Sequence, residues 1–190
     1  MPKLDLYKDH KAEYVAPRRP VLLAVKPATY LVIDGQGPPG AEAFQNAIGA
    51  LYGVAFTIKF AKKAVGTEYA VCKLEGLWYG GPPEWKWKLM IRTPDFVRAA
   101  DLKSAKRALE AKGKGPETGR VALEKVREGR CVQALHVGPY EKVEETVSAM
   151  RAFAESRGLE LLGPHHEIYL SDPRRVAAAK LRTIVRHPVK

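Results

Sequence analysis

"LVIDGQGPPG", residues 31–40, and "VQALHVGPY", residues 132–140, follow one plan: a short apolar run that ends in Gly-Pro. Each is followed by apolar residues at helical spacing. In the first copy these are Phe44, Ala47, Ile48 and Leu51; in the second, Val143, Val147, Met150 and Phe153. Two strand-like runs then follow each helix, at about 67–79 and 85–93, and at about 165–170 and 181–187. "IRTP" at 91–94 echoes "VRHP" at 185–188. Each half therefore reads as β-α-β-β, and recurrence of a whole pattern marks a duplicated architecture. The predicted fold class is α+β: a duplicated β-α-β-β unit with pseudo-two-fold symmetry. One such unit leaves a sheet face uncovered, so two are expected to pack into one body. A cleft between such halves would suit a small ligand.

Between the halves, Phe96, Ala99, Ala100 and Leu109 predict a helix over about 95–111, broken by "KGKGPETG" at 112–119. Val121 and Leu123 alternate with polar positions, which predicts a strand over 120–127. "REG" at 127–129 would turn it into a strand over 130–137. The first twenty residues read as an arm or edge strand. The expected organisation is one domain over 1–190, with repeat one at about 21–94, a connecting helix at about 95–116 and repeat two at about 117–190.

The chain has 190 residues, 46% of them apolar, enough for a sizeable core. No apolar run is long enough to cross a bilayer, and the start "MPKLDLYKDHKAEY" has no apolar segment of a secretory signal. Cys72 and Cys131 lie far apart within apolar runs and read as small buried side chains. A reducing, cytoplasmic setting is expected. The net charge of +11 raises the question of nucleic acid. The basic groups, however, are scattered over 62–63, 103–114 and 174–190 among acids and alanines. No helix-turn-helix pair, zinc-finger spacing or RNA-binding aromatic motif accompanies them, so nucleic-acid binding is disfavoured.

"GQGPPG" at 35–40 spells G-x-G-x-x-G. A dinucleotide site needs backbone N–H groups at the helix entrance, and Pro38 and Pro39 lack them. The loop reads as a turn and helix start. His165 and His166 are adjacent, so in a strand they point to opposite faces and cannot easily share a metal. No metal and no cofactor is expected. There is also no G-x-S-x-G elbow and no evident Cys–His pairing.

The remaining signals are aromatic rings and one carboxylate. Trp78, Trp85 and Trp87 surround a Gly-Gly-Pro-Pro turn; Trp85, Trp87, Leu89 and Ile91 share one strand face. Flat aromatic walls suit flat or cationic ligands, and Tyr52, Phe56 and Tyr140 could extend such a wall. In "HHEIYLSD", 165–172, Glu167 and Tyr169 are two apart and share a face. Glu167 is either an exposed strand acid or a carboxylate among rings. In the second case, desolvation suits it to act as a base or as a cation partner. His136 stands out because it precedes Gly-Pro-Tyr at a strand end.

"HHEIYLSDPRRV", "KLRTIVRHPV", "ALHVGPYEKVEET" and "WKWKLMIRTPDF" together resemble the GyrI-like small-molecule-binding family, from about Ala24 to Pro188. The resemblance implies an antiparallel, partly barrel-like sheet with a central ligand cleft. It places the family's ligand-facing glutamate on Glu167. The tryptophan-rich first half and the HHEIYLSD segment resemble the cyclopropanoid cyclopropyl hydrolases. This branch opens the strained cyclopropane of DNA-alkylating natural products in detoxification. The implied catalytic residues are Glu167, as general base, and Tyr140. The implied ligand contacts are Tyr52, Phe56, Trp78, Trp85, Trp87, His136 and Tyr169. Relatives often carry a tyrosine where this chain has Phe56, which keeps the wall and loses the hydroxyl. The alternative is a non-enzymatic multidrug-binding or sequestering module, with Glu167 as counter-charge. The expected partner is a small aromatic molecule, with no membrane; an interaction with DNA gyrase ranks behind both small-molecule readings.

Overall fold

The structure, a computed structural model, describes residues 3–190. In chain order the elements are α1 (Leu6–Asp9), α2 (Lys11–Tyr14), β1 (Val21–Val25), β2 (Ala28–Gln36), α3 (Glu42–Ala64), β3 (Glu75–Tyr79) and β4 (Lys86–Thr93). There follow α4 (Ala99–Glu110), α5 (Glu117–Arg120), β5 (Ala122–Val126), β6 (Gly129–Val137), α6 (Val143–Glu155), β7 (His165–Tyr169) and β8 (Arg182–Pro188). Short 3-10 turns occupy Tyr140–Lys142 and Ala178–Lys180. The fold is α+β with antiparallel strands, as the sequence implied.

The chain divides into two compact units. One comprises the residues through Asp9 and Ala28–Val126; the other comprises His10–Pro27 and Arg127–Lys190. In the first unit the strand order is β3-β4-β2-β5, and in the second β7-β8-β6-β1. These orders correspond strand for strand: β2-α3-β3-β4 and β6-α6-β7-β8 are the two copies of β-α-β-β. The fourth strand of each unit lay beyond that reading. β1 precedes β2 in the chain yet pairs β6, while β5 precedes β6 yet pairs β2. The full repeat is thus β-β-α-β-β with its leading strands exchanged.

In the first unit Leu31 and Ile33 of β2 join Leu89 and Ile91 of β4 under α3, which contributes Phe44, Ala47, Leu51, Val54 and Ile58. The alternate positions Tyr30, Val32 and Met90 build a smaller cluster with Ala28 and Leu77. This alternation follows from the two-residue period of a strand. α4 closes the α3 side through Leu102, Ala105 and Leu109. Asp101 secures its start by accepting the Arg98 backbone N–H at 2.8 Å. In the second unit Val147, Met150 and Ala154 of α6 cover Val132, Ala134 and Val185.

Several boundaries differ from the sequence reading. The run 67–79 is a strand only from Glu75; before it, Tyr69 makes one isolated bridge to Leu4, and Tyr69 and Cys72 are buried. The first twenty residues contain two helical turns, and the edge strand follows at Val21–Val25. Both cysteines are buried and free.

Candidate functional site

In the second unit, the strand face that packs on α6 gathers the candidate site residues. Register sets it up: Glu167 lies opposite Val185, a residue of the α6 core, so its side chain and those of His165 and Tyr169 share that face. Glu167 is 8% exposed, which removes the reading of it as a solvated strand acid. Its Oε1 lies 2.9 Å from His165 Nε2, and His165 Nδ1 lies 3.1 Å from His187 Nε2. The rings and the carboxylate are linked in series rather than converging on one point. Among the described residues, no group of three His, Cys, Asp or Glu side chains could hold a metal ion. Burial, with His165 beside it, lowers His187 to about 4, so that ring is neutral at pH 7.

Tyr140 and Tyr169 meet edge to face, ring centroids 5.8 Å apart at 90°. Burial, reinforced by the charges of Glu167 and Asp172, pushes the Tyr140 phenol up to about 12. At neutral pH Tyr140 is therefore an O–H donor close enough to Glu167 to feel its charge. His136 holds the turn that delivers Tyr140. Its Nε2 donates to the Pro139 carbonyl at 3.1 Å, and its Nδ1 lies 2.8 Å from the Thr146 hydroxyl. Both ring nitrogens of His136 are thereby engaged within the protein, at the turn that leads into Tyr140. Between His136 and Tyr169 in register stands Thr183. Its buried hydroxyl has no hydrogen-bond partner among the described residues.

The opposite face of the same sheet belongs to His166. Its Nδ1 lies 2.8 Å from Glu128, which accepts from Arg186 at 2.9 Å; Arg186 also donates to Gln133 at 3.2 Å and to the Glu13 carbonyl at 2.6 Å. The two adjacent histidines serve separate carboxylates on separate faces, as strand alternation required. Burial alone would raise the Glu128 carboxyl, but His166 and Arg186 outweigh it and hold Glu128 down at about 2.

The aromatic group lies in the first unit. Trp78 and Trp87 face each other across β3 and β4. Phe44 stacks on Trp78 at 5.6 Å and meets Trp87 edge-on at 5.3 Å, while Trp85 meets Trp78 edge-on at 5.5 Å. Trp87 is 2% exposed and donates its indole N–H to the Gly37 carbonyl at 3.2 Å, so it is a core residue. The first glycine of "GQGPPG" explains itself here. A Cβ at Gly35 would sit 2.0 Å from Trp87 Cη2, so this glycine makes room for an indole and not for a phosphate. Trp85 is partly buried, and Trp78 packs in the core. On α3, Tyr52, Phe56 and Phe60 stack in a ladder at 6.1 and 6.2 Å, with Phe56 and Phe60 exposed.

Sequence reasoning named Glu167, Tyr140 and Tyr169, and the second unit brings them together. It passed over His165 as the partner of Glu167 and His187 as the partner of His165. The spacing of His165 and Glu167, two apart, was a readable signal. His187 needed the β7–β8 register, which pairs His166 with Arg186 and so sets His187 beside His165. Phe60, which extends the Tyr52–Phe56 ladder, was readable from the four-residue spacing.

The sequence model of the GyrI-like small molecule binding domain matches residues 20–190. The chain belongs to the GyrI-like family. Among solved structures, a hydrolase from Listeria innocua is 38% identical, with a TM-score of 0.93 over 99% of this chain and 100% of that one. An uncharacterized conserved protein from the same organism is 37% identical over the same shares, also at 0.93. The C-terminal domain of EcmrR shares the GyrI-like fold at 15% identity and a TM-score of 0.58, covering 90% of this chain and 97% of that domain. No protein with a curated function matches the sequence. Among the described residues, no helix is long and apolar enough to cross a membrane.

Proposed function

We propose that this GyrI-like protein is a hydrolase that opens the cyclopropane ring of flat, DNA-alkylating natural products, with Glu167 as general base. One observation carries the reading: a buried carboxylate, bonded to an imidazole at 2.9 Å, beside a neutral phenol. Membership of a small-molecule-binding family and likeness to a solved hydrolase support it.

The reaction divides among these groups as follows. Water attacks the ring CH2, forming a C–O bond and breaking a C–C bond. The released electron pair moves onto the conjugated carbonyl oxygen as a phenolate. The proton lost by water goes to Glu167, and solvent protonates the phenolate. Tyr140, held neutral by burial, is suited to hydrogen-bond the developing oxyanion. A positioned carboxylate of this kind contributes roughly 10²- to 10⁴-fold in rate. The test is ring opening followed by mass spectrometry, with water added to the product. Wild-type turnover together with a loss of about 10²-fold or more in Glu167→Gln is expected. No turnover, or full turnover by the variant, overturns the reading.

The alternative is non-catalytic capture of planar cations with Glu167 as counter-charge. The imidazole already on Glu167 favours proton transfer over it, because that carboxylate has a partner without any ligand. Quenching of tryptophan fluorescence by cationic dyes that remain chemically unchanged, with no ring opening of the cyclopropane compound, decides for capture.

A further inference from the structure

The register of β6, β8 and β7 lays side chains in rows on the face that packs on α6. Ala134, Val185 and Glu167 form one row; His136, Thr183 and Tyr169 form the next. Thr183 is 1% exposed, and its hydroxyl has no hydrogen-bond partner among the described residues. A valine would fill the same space without that cost. Where a buried hydroxyl stays unmatched by its own chain, it marks a place for a ligand or an ordered water. The imidazoles on this face are already engaged: His136 with Pro139 and Thr146, His165 with Glu167 and His187. Glu167 is the diagonal neighbour of Thr183 across β7 and β8. Such neighbours have Cβ atoms within about 7–8 Å, and both side chains reach out from there. One water spans two oxygens about 5.5 Å apart. Depth selects the occupant, because a flat polycycle cannot reach a hydroxyl this buried and a single water can.

We propose that Thr183 Oγ1 and the Glu167 carboxylate together hold the water that attacks the ring. The inference deepens the hydrolase reading and, for its kinetic consequence, rests on it. A water poised for attack must give one hydrogen to the base and keep a lone pair aimed at carbon. Its second hydrogen needs an acceptor, and a threonine oxygen supplies one. As the new C–O bond forms and the ring C–C bond breaks, the O–H bond toward Glu167 breaks. The hydrogen held by Thr183 stays on the oxygen and becomes that of the product hydroxyl. Thr183 itself is unchanged. Fixing both hydrogens sets the direction of the lone pair, and orientation of this kind is where a positioned nucleophile gains its rate.

The test has a kinetic arm and a structural arm, both on the full chain. With a cyclopropane-bearing alkylator, Thr183→Val is expected to lower kcat by roughly tenfold or more while KM moves by less than about threefold. Thr183→Ser, which keeps the hydroxyl, should retain most of the wild-type kcat. Full kcat in Thr183→Val beside a crippled Glu167→Gln overturns the proposal and leaves the hydrolase reading standing. A raised KM with unchanged kcat in Thr183→Val makes the hydroxyl a ligand contact and overturns the proposal as well. The structural arm needs no substrate. A crystal structure at atomic resolution should show one water within hydrogen-bond distance of both Thr183 Oγ1 and Glu167. In Thr183→Val that water should be gone, with the Glu167–His165 contact in place. A Thr183 hydroxyl bonded only to the chain, with no such water, overturns the proposal whatever the kinetics. No turnover by the wild type, or full turnover by Glu167→Gln, overturns the hydrolase reading and the water's reaction with it; the crystal structure then decides the water site by itself.

Discussion

Glu167 and Tyr140 lie in surroundings that differ by one partner. Glu167 has an imidazole in contact; Tyr140 has a ring neighbour, and burial, reinforced by the charge of Glu167, keeps its phenol protonated. Tyr140→Phe retains the ring contact with Tyr169 and removes only the donor. If Tyr140 binds the developing oxyanion, kcat for ring opening should drop by about 10²-fold, with the fold unchanged by circular dichroism. Thr183 poses a different question, since its buried hydroxyl has no partner among the described residues. Thr183→Val exchanges that hydroxyl for a methyl of similar shape. Stability in urea should stay the same or rise by up to about 1 kcal/mol, because an unsatisfied polar group is lost from the interior.

At the scale of elements, β2 and β4 are locked by an indole lying over a glycine. Gly35 pairs with Trp87, and any Cβ at Gly35 would collide with the ring. Gly35→Ala should therefore destabilise the protein by about 1–3 kcal/mol in chemical denaturation. Trp87→Leu should cost stability too, by opening space under Phe44. The double variant is expected to be less damaged than the sum of the two, because the added methyl then meets a smaller side chain. Additive losses would show that the collision is relieved by backbone movement instead.

At the scale of the whole molecule, acid is the predicted weakness. His187 titrates at about 4 in the folded chain against its ordinary 6.5, so the unfolded chain binds a proton between those values that the folded chain refuses. Its contribution to stability is complete above about pH 6.5 and disappears as pH falls through 4. Glu128, at about 2 against 4.5, adds a second loss that begins below about pH 4.5 and is complete only below 2. Urea midpoints measured from pH 7 to pH 4 should fall in the wild type and fall less in His187→Gln. Glu128→Gln leaves buried Arg186 and His166 without their carboxylate; a loss of about 3–5 kcal/mol at pH 7 is expected. That network also ties the Glu13 carbonyl of the N-terminal arm to β8, so its loss should release the arm to proteolysis.

How much of this was legible in the sequence depends on the range over which each feature is encoded. Local features were. The period-two and period-3.6 patterns, repeated around two Gly-Pro turns, marked the duplicated β-α-β-β, and alternation sent His165 and His166 to opposite faces while keeping Glu167 with Tyr169. Those outcomes depend only on backbone geometry within a few residues. Tertiary structure alone decided the partners. β1 left β2 for β6, and β5 left β6 for β2, because strand pairing is chosen by hydrogen bonds between segments that the chain order does not rank. For the same reason His187, twenty residues from Glu167, became the far end of the contacts that run from Glu167 through His165, and Gly35 became a seat for Trp87 rather than a phosphate loop. The residue types and their faces follow from the sequence. Which of them touch follows from register, which is fixed only when distant segments bury their apolar sides together.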